Sequence, residues 1–134
     1  MTPKQKNLVY WGLRLIAAAI MLQTLFFKFT AAPESVFIFS TLGMEPWGRI
    51  GTGMLELVAS VLILITRTTA LGAILGAGLM GGAILSHVTK LGINVQGDHG
   101  QLFLYACLVL VSCLILAYAY RSQLPFINSR RSLR

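Results

Sequence analysis

At 134 residues the chain has the length of one domain, too short for a large multi-domain enzyme. Hydrophobic residues make up 56% of it and charged residues 11%, against about 25% charged in a typical soluble domain, so a water-exposed surface of this size could not be clothed and lipid is the expected solvent. The net charge is +7, but the basic residues flank apolar runs and form no patch interleaved with aromatics, which argues for a membrane surface and against nucleic acid.

The first apolar block runs from about Leu8 to Phe29, long enough to cross about 30 Å of hydrocarbon as a helix. Lys4 and Lys6 precede it as they would a secretory leader. The run is too long for a leader core, however, Arg14 interrupts it, and Thr30-Ala31-Ala32 is a weak cleavage match, so it reads as a retained span. Arg14, Met21 and Lys28 are seven apart and share one helix face. Arg14 lies near one end of the span and Lys28 near the other, each within snorkelling reach of an interface. Gln23 lies nearly opposite Arg14, placed to bond across to another helix, and Thr24 carries little information.

A long loop follows from Thr30 to Pro46, broken by Pro33, Gly43 and Pro46. Its apolar middle, Ser35 to Ser40, is expected to lie on the interface as a short helix. The second span runs from about Trp47 to Ile65. Glu56 sits nine residues from Trp47 and ten from Thr66, near the midplane. A carboxylate there cannot snorkel; it must be protonated, paired or beside water. An ion pair with Arg14 or Lys28 is its structural role, and proton handling or binding its functional one. Arg49, Thr52, Gly53 and Ser60 share its face, making that side of the helix polar.

Thr66 to Thr69 is a tight turn, so the second and third spans should be antiparallel neighbours. The third span, about Ala70 to His87, carries Gly72 with Gly76 and Gly78 with Gly82, both pairs spaced for close helix approach. Packing within the bundle is the favoured reading of both, with a homo-oligomer left open. Met80, Ala83 and His87 align on one face, and a histidine there can relay protons. The loop from Thr89 to Gly100 carries Gly92, Gly97 and Gly100. Its Asp98 and His99, with His87 and Glu56, are metal-ligating types, but the spacing matches no standard metal pattern and no metal is expected.

The fourth span runs from about Leu102 to Tyr120, with Tyr105 and Ser112 on one face as candidate cavity liners. Cys107 and Cys113 lie on it about 9 Å apart in rise and about 120° apart in direction, which forbids a disulfide between them. The tail from Arg121 is basic, with Pro125 expected to stop the helix.

The blocks show no strand-like alternation, so a barrel is excluded. There is no phosphate loop, haem attachment motif, nucleophile elbow or zinc-protease helix, which argues against a self-contained hydrolase or nucleotide enzyme. Basic residues fix the expected orientation. Lys4, Lys6, Arg14, Arg67, Arg121, Arg130, Arg131 and Arg134 collect on the side of both termini, against Lys28, Arg49 and Lys90 on the other. The reading is an all-α, single-domain transmembrane four-helix bundle over residues 1–134 with N and C termini cytoplasmic.

From about Leu13 to Pro125 the chain resembles the DoxX family of small bacterial membrane proteins. The resemblance is carried by Leu13-Arg14-Leu15, Lys28-Phe29, Gly51, Gly53, Glu56, His87, Gly97-Asp98-His99-Gly100-Gln101 and Gln123-Leu124-Pro125. The stretches Phe27 to Ser35 and Gly43 to Trp47 resemble one bacterial subgroup. The resemblance implies a four-helix membrane bundle. The family takes its name from a subunit of an archaeal terminal oxidase and thiosulfate:quinone oxidoreductase system, and other members are linked to redox and thiol stress or sulfur metabolism. A small-residue position often seen between the arginine and lysine of the first helix is filled here by Gln23 or Thr24.

These observations give a redox-associated subunit of the bacterial inner membrane, at most a part of an oxidoreductase complex, that binds a quinone-like or other small apolar ligand inside the bundle. Glu56 is the expected proton-handling carboxylate. Lys28 and His87 are expected to hold a ligand's polar head, Tyr105 to line its site, and Arg14 to balance Glu56 or contact anionic lipid. The alternatives are a scaffold whose basic tail at Arg130-Arg131 recruits a soluble redox enzyme, and a small oligomeric transporter.

Overall fold

The computed structural model describes residues 1–124. Pro125 and the basic residues Arg130, Arg131 and Arg134 lie outside the described residues. The described chain is helical throughout, in the order α1 (Pro3–Phe29), α2 (Pro33–Thr41), α3 (Trp47–Leu64), α4 (Thr69–Ser86) and α5 (Gln101–Ala119). All but α2 are long and apolar enough to cross a membrane.

Helix α1 starts at Pro3, five residues before the expected Leu8. The cause is local. The Thr2 hydroxyl accepts from Gln5 N at 3.2 Å, the Gln5 side chain accepts from Thr2 N at 2.9 Å, and Pro3 needs no donor at the first helical position. Counting apolar residues finds where a helix can enter lipid, not where its first turn is capped. The short helix expected over Ser35 to Ser40 is present as α2, begun by Pro33, with Ser35 and Phe39 buried. The Thr66 to Thr69 turn is a 3₁₀ turn at Thr66–Thr68, and His87 falls just past α4 in a single π-turn, His87–Leu91.

In the bundle, α3 and α5 each lie between α1 and α4. The core is built from Ala17 and Met21 of α1, Ala59 and Ile63 of α3, Ala73 of α4, and Val109, Cys113 and Leu116 of α5. Large apolar side chains such as Leu15, Phe26, Met54, Leu71, Leu104 and Leu114 point outward. An exposed apolar girdle of this extent is the surface of a protein whose solvent is hydrocarbon. Cys107 and Cys113 are both free thiols.

The end where α1 begins and α5 ends is tightly closed. A Cβ on Gly72 would lie 2.7 Å from Ile63 N and 2.8 Å from Ala59 O, so α4 meets the α3 backbone there. Tyr10 of α1 meets Tyr120 edge-on at 5.8 Å between ring centres. The Gln123 side chain donates to Thr66 O at 2.5 Å and accepts from Ala70 N at 3.1 Å, tying the α3–α4 turn to the end of α5.

Arg14 belongs to this closure. It is 0% exposed, its Nε donates to Ile63 O at 2.8 Å, and one terminal nitrogen donates to Leu64 O at 2.8 Å. The last carbonyls of a helix lack intrahelical donors and carry its negative dipole end, so a guanidinium fork suits them. Trp11 covers its face at 3.7 Å, against which the remaining Nη1 has no hydrogen-bond partner among the described residues. The expectation that Arg14 balances Glu56 or reaches anionic lipid is therefore corrected: it is fully buried and caps α3.

Candidate functional site

At the opposite end the four long helices separate around a cavity of about 620 Å³, lined by all five helices and by the turn after α4. Helix α2 roofs it with Ser35, Ile38 and Phe39, while Met21, Met80 and Ala106 line it from the core side. Gly78 and Gly82 of α4 also line it, and a Cβ built on either meets nothing within 4 Å. The close approach expected of both glycine pairs thus holds for Gly72 and Gly76, the latter against Cys113 Sγ, and not for Gly78 and Gly82.

Glu56 is 3% exposed and lines this cavity from the middle of α3. Its two carboxylate oxygens lie each 3.2 Å from Lys28 Nζ, and one also accepts from the Thr24 hydroxyl at 3.0 Å. Thr24 and Lys28 are one helical turn apart on α1, which aims both at the same point on α3. Of the two basic partners open to Glu56 in the sequence, Lys28 is the one present. The start of α3 is tied to the end of α1 separately. Arg49 pairs with Glu45 at 2.9 Å and donates to the Lys28 carbonyl, and Gly53 leaves room for the Phe29 ring.

Thr24 is the residue that spacing alone undervalued. Its hydroxyl is also placed to donate to Met21 O at 2.8 Å. A hydroxyl has one proton, so it either donates to Glu56 or donates to Met21 O and accepts. Glu56 thus has a partner as carboxylate and as carboxylic acid. A short hydroxyl bonded to its own helix costs little in a membrane, and so gives no hydropathy signal.

His87 is buried and lines the cavity beside the turn after α4. Its Nδ1 lies 2.9 Å from Gly92 O, and its ring meets Phe103 edge-on at 5.7 Å. A carbonyl only accepts, so Nδ1 carries the proton and Nε2 of the neutral ring is an acceptor. Tyr105 lines the cavity from α5, its oxygen accepting from Gln101 Nε2 at 2.9 Å, which leaves its own proton to donate.

The Asp98 carboxylate lies above the membrane-spanning segments and holds the start of α5. It accepts from Val95 N at 2.9 Å, Gly100 N at 2.9 Å and Leu102 N at 3.2 Å. Burial raises its pKa, but those three donors and the nearby His87 outweigh burial and hold it below the ordinary value of 3.8. No three His, Cys, Asp or Glu side chains converge among the described residues. Glu56, Lys28, His87 and Tyr105 therefore share one cavity, and Arg14 stands apart from it.

A model of the DoxX-like family matches residues 12–116, which takes in all five of these side chains, and the chain belongs to that family. No curated protein and no solved structure matches it.

Proposed function

We propose that this protein is a redox-associated subunit of the bacterial inner membrane that binds a quinone-like or other small apolar ligand in the far-end cavity, with both termini cytoplasmic. The observation that carries the reading is the cavity itself: about 620 Å³ of mostly apolar wall, with Thr24 and Lys28 bonded to Glu56 on it and His87 and Tyr105 on the same lining. Small-molecule sites fall within about 300–1,000 Å³ and combine apolar walls with a few convergent polar groups. Three carboxylates, Glu34, Glu56 and Asp98, share this wall with one lysine and one histidine. With all three carboxylates ionised the wall is negative whether or not His87 is charged, and in that state it favours a neutral polar head over an anionic one.

A quinone head offers two carbonyl acceptors. Lys28 has a third N–H beyond those directed at Glu56, and Tyr105 has a free hydroxyl proton. Reduction to the quinol takes two electrons and two protons. The electrons come from a redox partner, and Glu56 is the buried carboxyl group that passes protons, with Thr24 serving both of its states. The protein's share of the chemistry is to bind, orient and deliver protons.

The test is decylubiquinone binding to the purified protein in liposomes, with Glu56→Gln as the variant. Glutamine keeps the shape and loses the charge and the transferable proton. Binding should weaken about tenfold or more, the value of one charge-assisted contact, because the ion pair that holds Lys28 toward the head is lost, and quinone-dependent turnover in membranes should fall. Unchanged binding and unchanged turnover together would defeat the proposal.

A further inference from the structure

Between α1 and α5 the cavity wall is one side chain thick. Ile20, Gln23 and Tyr105 line the cavity and also line, with Ala19, a separate shallow depression on the outside of the bundle. Ala19 and Gln23 are exposed there. Both helices span the membrane, so the depression faces acyl chains. Gln23 precedes Thr24, which bonds Glu56, and this places Gln23 at the depth of that carboxylate. Its amide has no hydrogen-bond partner among the described residues, an unfavourable arrangement in hydrocarbon. An amide kept there unpaired is suited to groups that arrive only transiently.

One other approach competes with the α1–α5 seam, beside α4, where the lining residues Gly78 and Gly82 are also exposed. The Tyr10–Tyr120 contact shuts the same seam toward the termini, and α2 with the 92–100 loop lies over the far end. From these observations we infer that the α1–α5 seam is a lateral portal, with Gln23 as its polar doorpost, and that the cavity takes molecules dissolved in the bilayer rather than solutes from water. This rests on the cavity reading of the previous section but not on the ligand being a quinone.

Carbodiimides test it, because they add to a protonated carboxyl group and can be chosen by solubility. Protein in liposomes is exposed to lipid-soluble dicyclohexylcarbodiimide or to a water-soluble cationic carbodiimide, and labelling of Glu56 is followed by mass spectrometry. The lipid-soluble reagent should label Glu56 much the faster. Gln23→Trp, which fills the seam without touching the Lys28–Glu56 pair, should slow that labelling about tenfold, within the range by which access rates vary among variants of one site. Gln23→Ala should speed it, which guards against a misfolded tryptophan variant. Equal or faster labelling by the cationic reagent overturns the portal, as does no labelling by either. Slowing by Gly82→Leu without slowing by Gln23→Trp overturns it too, by moving access to the α3–α4 side. Loss of decylubiquinone binding with this labelling pattern intact would count against the quinone alone.

Discussion

Two glycine pairs on the same helix meet opposite surroundings. A methyl group added at Gly72 would lie 2.7 Å from Ile63 N and from Leu62 Cβ, while one added at Gly78 or Gly82 would touch nothing within 4 Å. The spacing of four is the same in both pairs. The difference is the face of α4: at about 100° per residue Gly78 and Gly82 lie about 120° around the helix from Gly72 and Gly76, and both are exposed where the first pair is buried. Beside the Thr66–Thr68 turn Gly72 sets α4 against the α3 backbone; farther along α4 turns Gly78 and Gly82 to the edge of the cavity that α2 roofs. The half where α1 begins and α5 ends is therefore packed for cohesion. There dispersion and buried hydrogen bonds must hold helices together, because lipid supplies no hydrophobic drive between them. The far half gives up that packing for a cavity with a carboxylate on its wall. Substitutions that separate cohesion from cavity chemistry test whether this division is real.

Arg14→Ala should have the largest effect. It removes the donors to Ile63 O and Leu64 O, and a buried acceptor left unpaired costs about 1–3 kcal/mol each. Loss of a buried charge offsets part of this. Arg14→Lys should recover little, since an ammonium lacks the planar fork that reaches both carbonyls. Thermal unfolding in detergent would measure both variants. If Arg14→Ala unfolds like the parent yet loses decylubiquinone binding, Arg14 belongs to the cavity's work and the division into halves fails.

The glycines come next. Gly72→Ala places its methyl group against backbone that cannot rotate away, and overpacking of this kind costs about 1–3 kcal/mol. Gly78→Ala meets open space and gains helix propensity, so it should be neutral or stabilising by up to about 1 kcal/mol. Equal losses of unfolding temperature in the two would show that the far half is packed after all.

What the sequence revealed follows the same division of costs. Glu56 stood out because a carboxylate near the midplane of a span is expensive wherever it points, and Lys28 because helical spacing carried it to the same end of the bundle as His87. The spans were visible for the same reason, since twenty apolar residues have few alternatives in lipid. Arg14 was placed on its proper face but given the wrong partner. The bare carbonyls at the end of α3 are backbone, and no residue type announces them. Thr24 escaped because a hydroxyl bonded to its own helix leaves almost no trace in hydropathy; α2 was legible as a short apolar helix, but nothing in its sequence shows that it roofs a cavity. The cavity itself was hidden in the glycines, whose spacing reads alike whether a helix meets them or leaves them.

The smallest expected effect lies at the far end, in Asp98. Its folded pKa is held below the ordinary 3.8 by three backbone donors and by His87, against the opposing pull of burial. A carboxyl group depressed on folding contributes stability above its unfolded pKa of about 3.9 and loses that contribution as pH falls through the folded value. Protection of the Val95, Gly100 and Leu102 amides against hydrogen exchange, corrected for intrinsic rates, should therefore drop on acidification below about pH 4, while the α3–α4 turn stays protected. Asp98→Asn should remove the pH dependence. Its amide oxygen can still accept from Val95 and Gly100, but its NH₂ cannot accept from Leu102. The loss should stay under about 1 kcal/mol, because the site is partly solvated and screened. Should Asp98→Asn instead lower the unfolding temperature as far as Gly72→Ala does, the capped start of α5 would be as cohesive as the glycine contact. The far half would then be a rigid frame around the cavity, and the lateral seam would have to open by side-chain motion alone.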